Sequence, residues 1–127
     1  MPVIVDTTVW IDFFRGKTPT AEKLLDLLDK DQVALPVPVR IEILSGARRT
    51  EHARLRRVLS ALPLLLPDDS TWSEMERWAI TGAAAGQTFG LGDLLVAAIA
   101  AQNECAIWSL DEDFARMSRL GFVSLAG

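Results

Sequence analysis

Cysteine and histidine each occur once in this chain, as Cys105 and His52. A lone cysteine excludes an internal disulfide framework. Its place between a helix end and an apolar strand suits a small buried hydrophobe better than a reactive thiol. A lone histidine excludes metal sites built on paired imidazoles, and the charged, exposed-looking segment around His52 gives it no role. Lysine is scarce, and all three lysines stand before residue 31. An excess of positive charge is missing as well. The formal net charge of −4 argues against a surface built for bulk phosphate binding. It leaves room for a nucleic-acid enzyme, because a metal site made of carboxylates lowers the net charge on its own account. There is no long hydrophobic run: the longest uncharged apolar stretch, residues 94–101, is far shorter than the roughly 20 residues of a membrane span. The N-terminus lacks a basic region and carries Asp6 and Asp12, so no secretion signal is read and a cytoplasmic location is expected. No repeat, linker or low-complexity segment is present.

Half of the residues are apolar and 24% are charged, which marks a globular chain. A length of 127 residues predicts one domain, residues 1–127, with one sheet-and-helix core. Short apolar runs alternate with helix-length segments. Strands are predicted at Val3-Ile4-Val5, at Val33-Ala34-Leu35 closed by Pro36, at Leu64-Leu65-Leu66, over residues 106–110 and over residues 122–125. Between them fall a short helix stopped near Gly16, one capped by Thr18 or Thr20, and one opened by Pro38 that runs through Arg49. A basic helix follows it. Then comes a helix with a Thr71–Glu74 capping box, and an apolar helix over residues 94–102. The Gly82 to Gly86 segment suggests close helix packing and lacks the Lys-Ser/Thr of a phosphate loop. Such alternation predicts an α/β fold with a parallel sheet, whose strand C-termini share one edge.

Acids gather where that edge should lie. Asp6 ends the first strand, Glu42 falls in the opening turns of the helix after the second, Asp93 opens an apolar helix, and Asp111 follows the next strand. Each has an ordinary explanation: Asp6 as a helix N-cap, Glu42 as a solvated glutamate near a positive helix end. Those explanations do not predict that all four share one edge. Carboxylates within a few Å of one another repel and raise each other's pKa unless a cation neutralises them. All-oxygen ligation suits Mg²⁺ or Mn²⁺. Such a site can make hydroxide from water at neutral pH and stabilise the leaving oxygen of a phosphoryl displacement. Thr8, Ser109 and Asp113 are candidate partners that orient the ligands. Five of the ten arginines, Arg48, Arg49, Arg54, Arg56 and Arg57, lie within ten residues. They form either a solvated helix face or a phosphate-contacting patch.

The motifs DTTVWIDFF, PVPVRIEILSGA, GLGDLLVAAIA and WSLDEDF, in this order, resemble those of PIN-domain proteins. More narrowly they resemble the VapC ribonuclease toxins of toxin–antitoxin pairs. The resemblance covers essentially the whole chain. It implies a three-layer α/β/α domain with a four- to five-stranded parallel sheet, and Mg²⁺- or Mn²⁺-dependent endonucleolytic cleavage of RNA of the tRNA or rRNA class. By motif match Asp6, Glu42, Asp93 and Asp111 are the catalytic and metal-binding acids. Asp113 matches the accessory acid, and Thr8 and Ser109 the small hydroxyl positions. A homodimer and a cognate VapB-type antitoxin, whose C-terminal segment often presents an arginine to the acidic cleft, are implied too. The alternative is a PIN-like nuclease acting on other nucleic acid outside such a pair. A dehalogenase-like phosphatase would place a second Asp where Thr8 stands. A receiver domain would carry adjacent acids after the first strand and a late lysine, and both are missing. If the arginine cluster contacts phosphates, Arg→Ala changes at 54, 56 and 57 lower RNA affinity and flatten its dependence on salt. An unchanged salt slope in filter binding returns the cluster to a solvated face.

Overall fold

The computed structural model describes residues 2–126. Four strands, β1 (Val3–Val5), β2 (Val33–Pro36), β3 (Leu64–Leu65) and β4 (Ala106–Trp108), pair in parallel in the order β3-β2-β1-β4. Val3 stands opposite both Val33 and Ala106, which aligns the starts of β2, β1 and β4. These strands read as unbroken apolar runs because a sheet covered on both faces gives them no wet side. Ile4, Val5, Leu35 and Ile107 are all fully buried. The helices complete a three-layer α/β/α arrangement.

Helices α1 (Thr7–Phe14) and α2 (Thr20–Asp29) connect β1 to β2. Gly16, at φ +66°, supplies the left-handed turn after α1 that a residue with a Cβ rarely adopts. Helices α3 (Val37–Gly46) and α4 (His52–Leu59), with a 3₁₀ turn at Arg49–Glu51, lead to β3. Helices α5 (Asp69–Ala84) and α6 (Leu91–Gln102) then cross back over the sheet to β4, and α7 (Glu112–Arg119) follows. The chain therefore builds outward from β1 to β3 and returns to the far side of β1. The reversal falls between β1 and β4, the point in an open parallel sheet where a crevice forms at the strand C-termini. Helix α6 buries Leu94 and residues 96–100, so it is apolar nearly all round, as a central helix must be. Among the described residues no helix is long and apolar enough to cross a membrane.

Several local expectations change. Pro36 is the last residue of β2, not its stop, and Pro38 sits in the first turn of α3. Helix α3 ends at Gly46, so Arg48 and Arg49 lie beyond it. Neither Thr18 nor Thr20 caps α2, whose N-cap is Pro19. The capping box on α5 joins Asp68 to Thr71 instead of Thr71 to Glu74. Thr71 is fully buried and also donates to Gln102 Oε1 at the end of α6, while Glu74 pairs with Arg77. Gly82 packs against the following loop: a Cβ there would lie 3.0 Å from the Gln87 carbonyl oxygen and 3.3 Å from Phe89 Cε2. The predicted fifth strand reduces to one parallel bridge, Leu125 to Ile107, and β3 and β4 stop short of Leu66 and Ser109. His52 is half-buried, with no hydrogen-bond partner for Nε2. Cys105 is buried, which pushes its thiol pKa up.

The core is tested by contrast. Ile107→Ala, in the fully buried centre of β4, is expected to cost about 2–5 kcal/mol in denaturant unfolding. Ile80→Ala, at a position 72% exposed on α5, should stay within about 0.5 kcal/mol.

Candidate metal centre

The crevice between β1 and β4 is stitched by hydroxyls. The Asp6 backbone starts α1, its carbonyl accepting from the N–H of Val9, and its own N–H donates 2.9 Å to the Trp108 carbonyl. Its carboxylate makes no cap to α1, against the simplest reading of the sequence. Instead Oδ2 accepts from Thr8 Oγ1 at 2.9 Å and from Ser109 Oγ at 2.8 Å. Each hydroxyl also accepts from the turn after β4: Thr8 from Leu110 N–H at 3.1 Å, Ser109 from Asp111 N–H at 3.0 Å. Two small hydroxyls thus fix a carboxylate that is only 5% exposed and shape the turn that delivers Asp111.

Asp111 is the N-cap of α7 and accepts 2.9 Å from the Asp113 N–H through Oδ1. Asp93 lies in the first turn of α6. One carboxylate oxygen from each of Asp93, Asp111 and Asp113 falls within 4.8 Å of the others. Asp113 also receives Arg116 Nη2 at 2.6 Å. Burial, above all, pushes the Asp93 carboxyl up to about 7, helped by its hydrogen bond with Asp113 and by the charges of Asp111, Asp6 and Asp113. Arg116 holds Asp113 below the usual carboxylate range, with Asp93's hydrogen bond adding to it. The proton of this pair therefore rests on Asp93.

Glu42 stands apart from that trio. It is exposed on α3, and Oε1 accepts from Thr7 Oγ1 at 3.1 Å. It lines a groove of about 460 Å³ together with Ile11, Phe14, Arg15 and Arg48. Of the predicted acids, the structure gathers Asp93 and Asp111 with Asp113, and links Asp6 to them through Ser109 and through its charge on Asp93. Arg48, Arg49, Arg54, Arg56 and Arg57 are all exposed. Thr7 and Arg116 escaped the sequence reading. Thr7 is adjacent to Asp6, and Arg116 follows Asp113 at the i,i+3 spacing of a helical ion pair, which was the available signal.

Three carboxylate oxygens with no nitrogen or sulfur donor match the preference of hard divalent cations. The charges of Asp111, Asp6 and Asp113 add to burial in raising the Asp93 pKa, a repulsion that a cation would relieve.

A PIN-domain family model matches residues 3–120. Ribonuclease VapC11 of Mycobacterium tuberculosis is 31% identical over 124 residues, covering 93% of this chain and 92% of its own. Among solved structures, VapBC2 from Rickettsia felis bound to a promoter DNA fragment superposes with a TM-score of 0.79 at 17% identity, covering 99% of this chain and 98% of that one. VapBC-5 from M. tuberculosis gives 0.67 at 24% identity, covering 98% and 96%. The chain belongs to the PIN-domain family and, within it, to the VapC group.

The Asp93 shift has a sign that can be measured. Between pH 3.8 and about 7 the native protein holds a proton that the unfolded chain has released. The native state binds more protons there, so metal-free stability falls as pH rises through that window. Asp93→Asn removes this loss. Thermal melts in chelator from pH 5 to 8 should show the variant gaining on wild type as pH rises, and a constant offset contradicts the assignment.

Proposed function

We propose that this chain is a metal-dependent endoribonuclease, the toxin of a toxin–antitoxin pair. The observation that carries this reading is the convergence of Asp93, Asp111 and Asp113 on the β1–β4 crevice, in a chain related to a VapC ribonuclease. A bound Mg²⁺ or Mn²⁺ supplies Lewis-acid chemistry there, polarising a phosphodiester oxygen and making hydroxide available at neutral pH. Asp6, Asp93 and Asp111 are the residues to hold it, with Glu42 completing the acidic set from α3 and Asp113 supporting it. Thr8 and Ser109 keep Asp6 aimed, because both donate to the same oxygen. Asp93 must give up its proton before it can act as a ligand, so metal binding is expected to strengthen with pH.

The substrate in this reading is an RNA of the transfer or ribosomal class, led past the crevice by the exposed arginines between Arg48 and Arg57. The partner is a VapB-type antitoxin. The groove beside Glu42 supports this, because it combines the apolar Ile11 and Phe14 with charged Arg15, Glu42 and Arg48, a surface suited to an amphipathic segment. A basic residue on that segment would meet the acidic crevice favourably. Self-association as a homodimer draws support from Trp72 and Ile80, both exposed on α5.

Asp93→Asn and Asp6→Asn are expected to reduce cleavage to background while circular dichroism shows the fold intact. EDTA should stop the wild-type enzyme, Mg²⁺ or Mn²⁺ should restore it, and sequenced products should carry 3′-hydroxyl and 5′-phosphate ends. Wild-type cutting by either variant, or activity in chelator, defeats the mechanism.

A further inference from the structure

We infer that Arg116 is a positioning residue for the metal centre, a clamp that sets α6 against α7. The inference rests on the metal-nuclease reading above and names what holds that site in shape. The centre is assembled from two pieces of chain that are not continuous: Asp93 arrives on α6, Asp111 and Asp113 on α7. The loop leading into α6, residues 87–90, is bonded through its backbone to α5 and into α6. Gln87 N–H donates to Gly82, and the Gly90 carbonyl accepts from Leu94. Among the described residues no backbone hydrogen bond joins this loop to α7.

The side chain of Arg116 makes that connection. Its guanidinium donates to Asp113 Oδ1 at 2.6 Å, to Gln87 Oε1 at 3.3 Å and to the Thr88 carbonyl at 3.5 Å, and lies 4.6 Å from the centre of the Phe89 ring. One planar group thus grips three consecutive residues just ahead of the α6 N-cap, and at the same time a member of the acidic trio. The loop is braced from behind, since Phe89 packs near Gly82 and edge-on to Phe122. A lysine carries the same charge but has neither the fork nor the flat face that this arrangement uses. An ion pair whose only work was to support α7 would stop at Asp113. The three loop contacts are what make Arg116 a link between elements.

Wild type, Arg116→Met, Arg116→Lys and Gln87→Ala, each as the full chain, are to be titrated with Mn²⁺ by electron paramagnetic resonance and assayed for RNA cleavage over a range of Mn²⁺. Arg116→Met is expected to weaken Mn²⁺ binding about 10–100-fold, the usual effect of losing a residue that orients metal ligands. Arg116→Lys should recover part of this. Gln87→Ala, which leaves the charge count untouched, should weaken binding in the same direction. Excess Mn²⁺ should restore kcat in all three variants, with KM for RNA unchanged. Arg116→Met binding Mn²⁺ within twofold of wild type overturns the proposal. So does Arg116→Lys matching wild type, which leaves a bare counter-charge, or a raised KM, which makes Arg116 an RNA contact. Wild type failing to bind Mn²⁺ brings down the metal reading itself, and this clamp with it, a result distinct from failure in the variants alone.

Discussion

Repulsion among carboxylates at the meeting point of β1, β4 and α6 is the constraint that the rest of this molecule serves. Two full negative charges within 4.8 Å of each other at an effective dielectric near 20 oppose by at least about 3 kcal/mol. A neutral hydrogen bond returns only about 1 kcal/mol. The hydroxyls of Thr8 and Ser109 can therefore orient Asp6, but they cannot make the whole acidic group comfortable. Without an ion, the strain is relieved by a proton on Asp93 and by the charge of Arg116. A cation held there would take over the proton's part.

The fold delivers the acids by a simple device. Reversal of the strand order between β1 and β4 leaves a gap at the strand ends, and residues directly after those strands line it. Glu42 comes from a different direction, on a helix that begins immediately after β2. Its bond to Thr7, the neighbour of Asp6, ties that helix to the start of α1. Asp6, Ser109 and Asp111 therefore form a tightly fixed wall of the crevice, while Glu42 stands exposed over the groove beside α1.

Much of this was legible in the sequence for a physical reason. A buried parallel strand carries no polar face, so Val3-Ile4-Val5 and Val33-Ala34-Leu35 stand out as short apolar runs, and acids right after such runs fall on one edge by topology. The roles of the individual acids rested on resemblance to the VapC proteins, not on spacing. What escaped depended on contacts between distant positions. Thr7 donates to Glu42 across 35 residues, and Thr71 donates to Gln102 across 31. Neither pairing leaves a mark in local periodicity. Asp6 illustrates the limit: its sequence context fits a side-chain cap, but two hydroxyls close at hand bind the carboxylate better. The grip of Arg116 on residues 87–89 is similar, for only its bond to Asp113 has a local spacing. The final predicted strand reduces to a bridge because the short, mostly apolar run Phe122-Val123-Ser124-Leu125 resembles a strand even where one bridge forms.

The two margins of the sheet are guarded differently. Beyond β4 the chain terminus lies alongside, with Ile107 N–H bonded to the Ser124 carbonyl and Ala126 N–H to that of Ile107. Beyond β3 nothing pairs among the described residues, but that strand is two residues long and bracketed by Pro63 and Pro67. A template so short, flanked by residues without an amide hydrogen, offers a foreign strand almost nothing to zip onto. Amyloid-like stacking and edge-to-edge aggregation are thereby discouraged.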